Sequence, residues 1–257
     1  MTTLTNNSEV WIHRLHPAPH STVRLVCFPH AGGSAGFFRS MSEALGPRTE
    51  VLAVQYPGRQ ERWKEAPLSD VGELARLIAA ALRPWADRPL AFFGHSMGSI
   101  VAYEVTRRLE SVGAGSAPVL LFASGRHAPS VLREGSVHLR DDDGLIAEMR
   151  RLGGTDVELL ADEGFLRILL PAVRSDYQAV ETYVHRPGRE LTCPVAALVG
   201  DADPYVTPDE ARRWEEHTSG EFALHRFPGG HFYLVPQQKN VIRVISERLA
   251  EVAPAGR

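Results

Sequence analysis

Three residues of the chain have the types and surroundings that nucleophilic catalysis requires. Ser96 lies at the centre of segment 94–98, which has the pattern G-x-S-x-G, and Asp203 and His231 follow in later turn-forming stretches. A serine hydroxyl is a poor nucleophile until a base takes its proton, which a histidine does near neutral pH. A carboxylate on the other ring nitrogen fixes the tautomer and stabilises the imidazolium. These residue types predict a hydrolytic centre with Ser96 as nucleophile, His231 as base and Asp203 as its partner.

Asp201 is the alternative carboxylate. Gly200 begins a G-x-x-D spacing that ends at Asp203, and Pro204 follows directly. This spacing carries the Asp203 side chain past the end of the preceding strand and into the loop, whereas Asp201 is expected to be a turn residue or a helix cap. We therefore assign the acid to Asp203 and keep Asp201 as the alternative.

The surroundings of Ser96 predict a strand, a sharp turn and a helix. An apolar run leads into the turn, and apolar residues at helical spacing follow it from Ile100 onwards. Such a nucleophile elbow holds its serine at the tip of the turn with strained backbone angles. Gly94 and Gly98 would let the strand and the helix approach each other. The other interpretation is an ordinary glycine-rich turn with an exposed serine.

A second loop completes the expected site. Segment 30–33 has the sequence HAGG and follows the apolar segment 23–28. The backbone N–H groups of Ala31 and Met97 would together form an oxyanion hole, which stabilises the negative oxygen of a tetrahedral intermediate. The other interpretation of this loop, too, is an ordinary glycine-rich turn.

Strands and helices alternate along most of the chain. Apolar runs predict strands, and segments with apolar residues at helical spacing predict helices between them. The predicted strands are 10–15, 23–28, 51–55, the run from Leu90, 119–124, 194–199 and 222–227. This order predicts an α/β fold with a mostly parallel central sheet and helices on both faces. The chain order serine, aspartate, histidine is that of an α/β-hydrolase.

Segment 125–189 breaks the alternation. Its second half carries a helical stripe of apolar residues, and Pro171 lies inside that stripe, so we expect the helix to begin or bend there. We expect residues 1–257 to form a single domain, with 125–189 as a helical lid inserted between two strands. The alternative is an additional packing layer with no role in access.

Composition limits the classes of partner. The net charge of −3 argues against broad nucleic-acid binding, which needs a basic surface. No run reaches the roughly 18 apolar residues that a membrane span requires. Residues 1–9 are polar and lack the apolar core of a secretory signal. We therefore expect a cytoplasmic protein with neither nucleic acid nor membrane as partner.

The cysteines and clustered histidines do not predict a metal site. Cys27 and Cys193 each lie in an apolar, strand-like run, which favours buried thiols over a disulfide. His13, His16 and His20 have no cysteine or carboxylate at ligand spacing, so surface histidines are expected. We predict no metal and no cofactor.

Six short motifs are spread over most of the chain. They are FPHAGG at 28–33, YPGR at 56–59, GHSMG at 94–98, LGGT at 152–155, GDAD at 200–203 and GGHF at 229–232. Together they resemble the motifs of the type II thioesterases that accompany polyketide synthases and nonribosomal peptide synthetases. The resemblance spans roughly residues 23–249, and the chain matches the family at the three candidate catalytic residues and at the 30–33 loop.

The resemblance implies a function and a partner. It implies an α/β-hydrolase fold and hydrolysis of acyl groups from the phosphopantetheine thiol of an acyl or peptidyl carrier protein. In that family the usual task is editing, which removes stalled or wrong acyl units from the synthase. The initiating methionine and the absence of a fused carrier domain fit the free-standing form, and we expect a monomer.

Two other functions remain open at this point. A small-molecule carboxylesterase of the same fold would use the same acyl-enzyme steps, and segments 57–59 and 152–155 favour the thioesterase over it. A non-catalytic partner protein would bind carrier domains as a scaffold. The intact set of Ser96, Asp203 and His231 argues against that reading.

Overall fold

The protein is built around a seven-stranded sheet. The computed structural model describes residues 5–113, 117–133, 135–153 and 162–252. The strand order is β1-β3-β2-β4-β5-β6-β7, and every neighbouring pair is parallel except β1 with β3. The strands are β1 (Ile12–Arg14), β2 (Val23–Phe28), β3 (Thr49–Val54), β4 (Leu90–His95), β5 (Leu120–Ser124), β6 (Val195–Gly200) and β7 (Phe222–Phe227). The predicted, mostly parallel sheet is confirmed.

Helices connect the strands. They are α1 (Thr5–Trp11), α2 (Arg39–Leu45), α3 (Val71–Leu82), α4 (Met97–Val112), α5 (Asp142–Leu152), α6 (Glu163–Glu181), α7 (Pro208–Arg212) and α8 (Gln238–Val252). Local signals set several of their ends. The Asp70 side chain accepts a hydrogen bond from the Glu73 backbone at the start of α3, and Thr207 and Glu210 form a capping box on α7.

The sheet is covered on both faces, as the alternation predicts. Side chains of β2 alternate between the two layers: Leu25 and Cys27 pack on one face, and Val26 and Phe28 pack on the other. Helices α2 and α8 cover the first face, and α3 and α4 cover the second. Burial on both sides explains why the strands are continuous apolar runs.

The first predicted strand, 10–15, is wrong in extent. Only Ile12–Arg14 is strand, and Trp11 ends helix α1. The Ser8 hydroxyl donates to the Ala81 carbonyl at 2.8 Å and accepts from Trp85 Nε1 at 2.8 Å. These contacts with the distant end of α3 hold the N-terminal helix, and a local pattern does not report them.

Two helices, α5 and α6, lie between β5 and β6. They share a small core with segment 137–139, and Ala31 packs against this core from the sheet side. Of the two expectations for Pro171, that the helix begins or that it bends there, the first is wrong, because α6 begins at Glu163 and runs through the proline. Asp162 caps α6 by accepting from the Phe165 backbone at 3.0 Å.

Both cysteines are free and buried, as predicted. Across the described ranges, each helix is too short or too polar to span a membrane.

Candidate active site

The turn between β4 and α4 has the geometry of a nucleophile elbow. Ser96 has φ of 53° and ψ of −118°, a strained combination for a residue with a side chain. Its backbone N–H donates to the Ser124 carbonyl at 2.8 Å, and its carbonyl accepts from the Ser99 N–H at 3.0 Å. The surrounding structure therefore holds Ser96 in its strained conformation, and its side chain is only partly buried.

Two glycines make this turn possible by close backbone contact. A Cβ atom on Gly94 would overlap the carbonyl group of Gly98 across the turn. A Cβ atom on Gly98 would overlap the carbonyl oxygen of Phe28, at the end of the neighbouring strand β2. The G-x-S-x-G pattern is thus required by packing of strand against helix.

Gly98→Ala is expected to lower the free energy of unfolding by about 3 kcal/mol or more, because the new methyl group meets a backbone atom of a central strand. Urea denaturation measures the change. Gly36→Ala is the matched control, since its added Cβ would meet only Ser34 Oγ at 3.6 Å. Equal stability of the two variants would contradict the packing argument.

His231 and Asp203 form a buried pair at the same edge of the sheet. His231 Nδ1 lies 2.8 Å from Asp203 Oδ2, and the two side chains are 3% and 0% exposed. The other carboxylate oxygen of Asp203 accepts from the Tyr205 N–H at 2.8 Å. The contact places the proton on Nδ1 of the neutral ring, which leaves Nε2 as the basic nitrogen.

Asp201 has a different task. Its side chain is exposed, and Oδ1 accepts from the Gly229 N–H at 3.0 Å. This bond ties the loop after β6 to the loop after β7, which carries His231. The structure thus brings Asp203, the carboxylate chosen from the spacing, to His231 and gives Asp201 a role in the loop.

Ser96 and His231 both lie near the C-terminal end of β5. The Ser96 N–H is bonded to Ser124, and the next residue is Gly125. A Cβ atom on Gly125 would lie 3.5 Å from Cε1 of His231. The carboxyl ends of β4, β5, β6 and β7 thus gather the predicted residues in one place, where open α/β sheets hold their ligands.

Two further imidazoles, those of His95 and His30, lie near His231. The ring centroids of His95 and His231 are 5.1 Å apart, and His30 lies 6.0 Å from His95. Burial, with a smaller contribution from His231, lowers the pKa of His95 well below its ordinary value. Burial, His231 and Arg59 lower the pKa of His30 to about 3. Both rings therefore stay neutral near pH 7 and add no positive charge beside His231.

His95 also belongs to a buried chain of hydrogen bonds. His95 Nδ1 lies 2.9 Å from Ser124 Oγ, which lies 2.7 Å from the Tyr233 hydroxyl. This series of hydrogen bonds links β4, β5 and the segment after His231. It therefore stabilises the structure beneath the nucleophile elbow.

The 30–33 loop lies against this group of residues. Gly32 has a positive φ of 76°, and the Gly33 N–H donates to the His30 carbonyl at 2.9 Å. Within the ranges that the structure describes, no protein acceptor pairs with the N–H groups of Ala31 and Met97. Both donors are thus available to a ligand.

A buried ion pair forms a further part of the site, which the sequence did not predict. Asp176, on α6, is 2% exposed at its side chain and forms an ion pair with Arg59, which is 4% exposed. Asp176 Oδ2 also accepts from the Gly32 N–H at 2.7 Å. A charged residue on the apolar stripe that includes Val173 and Val180 was the available signal, because an aspartate is almost never fully buried unless it is paired.

Comparison with known proteins identifies the family of this chain. The sequence model described as "Thioesterase domain" matches residues 23–249. The chain belongs to the thioesterase family. It is a thioester hydrolase, and its fold is the α/β-hydrolase fold that the sequence predicts.

Curated and solved relatives agree with this thioesterase assignment. "Thioesterase PikA5" from Streptomyces venezuelae is 52% identical over 95% of this chain and 86% of its own length. The "Probable cadicidin biosynthesis thioesterase" from Streptomyces griseus is 49% identical over 97% of this chain and 68% of its own length. The structure of the "type II thioesterase BorB from the borrelidin biosynthetic cluster" is 50% identical, with a TM-score of 0.88 over 93% of this chain and 98% of that one.

The thioesterase shows no metal centre in its described part. Among the described residues, no group of three or more histidine, cysteine, aspartate or glutamate side chains could hold a metal ion.

The LGGT segment at 152–155 is only half described. Gly154 and Thr155 lie outside the described residues, and Gly153 caps the C-terminus of α5 in the left-handed conformation.

Proposed function

We propose that this protein releases acyl groups from carrier proteins through a Ser96–His231–Asp203 triad. His231 Nε2 takes the Ser96 proton as Oγ attacks the thioester carbonyl, and the tetrahedral intermediate expels the phosphopantetheine thiolate, which receives that proton. Water then attacks the acyl-serine with His231 again as base, and the acid leaves as the proton returns to Ser96. Each cycle consumes one water and regenerates the enzyme.

The buried contact between His231 and Asp203, near the strained Ser96, is the main support for this proposal. The 2.8 Å contact orients the imidazole and stabilises the imidazolium that forms in both steps. The elbow presents Ser96 at the end of β4 with part of its side chain accessible. Together these features supply the nucleophile, the base and the orienting acid.

Ala31 and Met97 supply the proposed oxyanion hole. Their N–H groups have no protein acceptor among the described residues, and they come from the loop after β2 and from the first residue of α4. The Met97 N–H also benefits from the positive end of the α4 dipole. Both donors stabilise charge that develops only in the transition state, so they accelerate the reaction itself.

The relatives support a carrier-bound substrate and an editing role. BorB is named as a type II thioesterase from the borrelidin biosynthetic cluster, and the Streptomyces griseus relative as a probable cadicidin biosynthesis thioesterase. We propose acyl or peptidyl carrier proteins as partners, so that phosphopantetheine arrives on the partner and the enzyme needs no cofactor of its own. The monomeric state and the cytoplasmic location stay predictions.

We propose that α5 and α6 are a lid on a single domain. Their shared core contacts Ala31, so they cover the site at the oxyanion loop. This contact supports a role of α5 and α6 in access and selection.

Hydrolysis of a matched substrate panel tests the function. Each acyl group, from acetyl to longer chains, is presented on a holo carrier protein, on a small thiol and as an oxyester. We expect kcat/KM to be about tenfold or more higher on the carrier, because carrier contacts add binding energy that a small thiol lacks. Ser96→Ala supplies the background rate.

The other outcomes identify the alternatives. Equal rates on carrier and small thiol, with oxyesters preferred, would indicate a small-molecule carboxylesterase. Carrier binding without hydrolysis of any member of the panel would indicate a non-catalytic partner protein.

A further inference from the structure

The oxyanion loop is anchored by an ion pair that comes from two distant parts of the chain. Arg59 follows β3, and Asp176 lies on α6, within the proposed lid. Arg59 Nη1 lies 2.6 Å from Asp176 Oδ2, and Nη2 lies 2.8 Å from Oδ1, which is the bidentate arrangement. The pair is buried, so neither charge is screened by solvent.

Every donor of the Arg59 guanidinium has an acceptor. Besides Asp176, Nη1 donates to the Gly33 carbonyl at 3.1 Å, and Nε and Nη2 both donate to the Pro57 carbonyl at 3.3 Å. An arginine carries five N–H groups in a fixed planar fork, and all of them are used here. The side chain is therefore held in one orientation.

The loop that carries Ala31 is fixed on both sides by this network. On the N-terminal side of Ala31, the Tyr56 hydroxyl donates to the Pro29 carbonyl at 3.2 Å. On the C-terminal side, Asp176 Oδ2 accepts from the Gly32 N–H at 2.7 Å, and Arg59 donates to the Gly33 carbonyl. The Ala31 N–H lies between these contacts and has no protein acceptor among the described residues.

Helix α6 also contacts the loop by packing. A Cβ atom on Gly32 would lie 2.9 Å from Val173 Cγ2, one turn before Asp176 on the same helix. Ala31 packs against the core that α6 shares with α5. Contacts with α6 therefore help to hold the loop in position.

We propose that Asp176 and Arg59 are positioning residues for the oxyanion hole, through which α6 sets the place of the Ala31 N–H. Asp176 holds the Gly32 amide, and Arg59 neutralises the carboxylate, which would otherwise repel the developing oxyanion. The inference rests on the proposed function, because it assigns the loop to transition-state stabilisation. Displacement of α6 would withdraw Asp176 from Gly32 and release the loop.

Kinetics of Asp176→Asn test the proposal. The amide keeps the shape of the carboxylate but has one acceptor oxygen and no charge. With its oxygen in the place of Oδ2, its NH₂ group meets Arg59 Nη2; in the reverse orientation, its NH₂ group meets the Gly32 N–H and Arg59 Nη1. Either orientation sets donor against donor and weakens the anchor of the loop. We expect kcat to fall about 10²-fold, within the range for loss of an oxyanion donor, and KM to change less than about threefold. A loss confined to kcat marks an interaction made in the transition state.

Glu50→Gln is the matched control. Glu50 and Arg24 form another buried ion pair, 1% and 4% exposed, at the opposite ends of β3 and β2 from the site. Glu50→Gln therefore removes a buried charge of the same kind, and its thermal unfolding is measured beside that of Asp176→Asn. We expect the control to keep kcat within about threefold, because no loop of the site depends on it.

Arg59→Lys decides the matter if Asp176→Asn fails to fold. It keeps the positive charge beside Asp176 but cannot also reach the Gly33 and Pro57 carbonyls, and we expect kcat to fall about tenfold. Unchanged kcat in the variant that folds would overturn the proposal, as would an equal loss in Glu50→Gln. Ser96→Ala is assayed in parallel: if it stays active the proposed function fails, whereas an inactive Ser96→Ala beside a fully active Asp176→Asn overturns this inference alone.

Discussion

Replacing Ser96 by alanine is expected to lower kcat for acyl-carrier hydrolysis by about 10⁴-fold or more, the scale seen when a serine nucleophile is removed. The nucleophile elbow presents the Ser96 Oγ for deprotonation by His231, and alanine has no oxygen that could attack the thioester. The fold should persist, because the anchors of the turn are backbone bonds, including Ser96 N–H to Ser124 at 2.8 Å. Single-turnover hydrolysis and thermal unfolding measure the two effects.

Ser99→Ala is the control for this prediction. Ser99 is the third residue of α4. Its hydroxyl lies 2.8 Å from the Gly94 carbonyl and 2.9 Å from the Ser124 carbonyl, and it accepts from the Ser124 N–H at 3.1 Å. The variant loses these buried hydrogen bonds, which costs about 1 to 3 kcal/mol of stability, but retains Ser96. We expect substantial kcat in its folded fraction. Near-wild-type turnover by Ser96→Ala would remove Ser96 from the mechanism.

Asp203→Asn is expected to lower kcat by about 10⁴-fold, the effect of the equivalent change in a serine protease triad. The carboxylate at 2.8 Å from Nδ1 selects the tautomer that leaves Nε2 basic. Because its other oxygen already accepts from the Tyr205 N–H, the amide would turn its NH₂ group toward His231. The ring would then be held in the wrong tautomer. Steady-state hydrolysis measures the loss.

Asp201→Asn is the matched control for the acid. Asp201 lies two residues away and is exposed, and within the described part of the chain its side chain accepts only from the Gly229 N–H. An asparagine oxygen can accept the same bond, so kcat is expected to stay within about tenfold of the wild-type value. The reverse order of effects would transfer the role of the acid to Asp201.

The residues at the strand ends could be predicted because local sequence determines them. Gly94 and Gly98 are needed wherever a strand and a helix meet at so tight a turn, and Asp203 stands at a spacing that takes it past the end of β6. A parallel sheet then brings its carboxyl ends together without further information. Fold class and candidate triad therefore follow from short motifs and their order.

The anchor of the oxyanion loop could not be found in the same way. Asp176 lies 144 residues from Gly32 and 117 from Arg59, so no local pattern joins them. The burial of a carboxylate on α6 becomes meaningful only when the helix is placed against the loop. Helix α1 was missed for a related reason, since Ser8 is held by the distant residues Ala81 and Trp85.

Titration of the active site with a fluorophosphonate tests whether Ser96 is the nucleophile. The label is added in substoichiometric steps, residual acyl-carrier hydrolysis is measured at each step, and the modified residue is located by peptide mass mapping. We expect one label per chain, located on Ser96, to remove all hydrolysis in proportion to labelling, and we expect no labelling of Ser96→Ala. A label on another residue, or full labelling of Ser96 with hydrolysis unchanged, would contradict it.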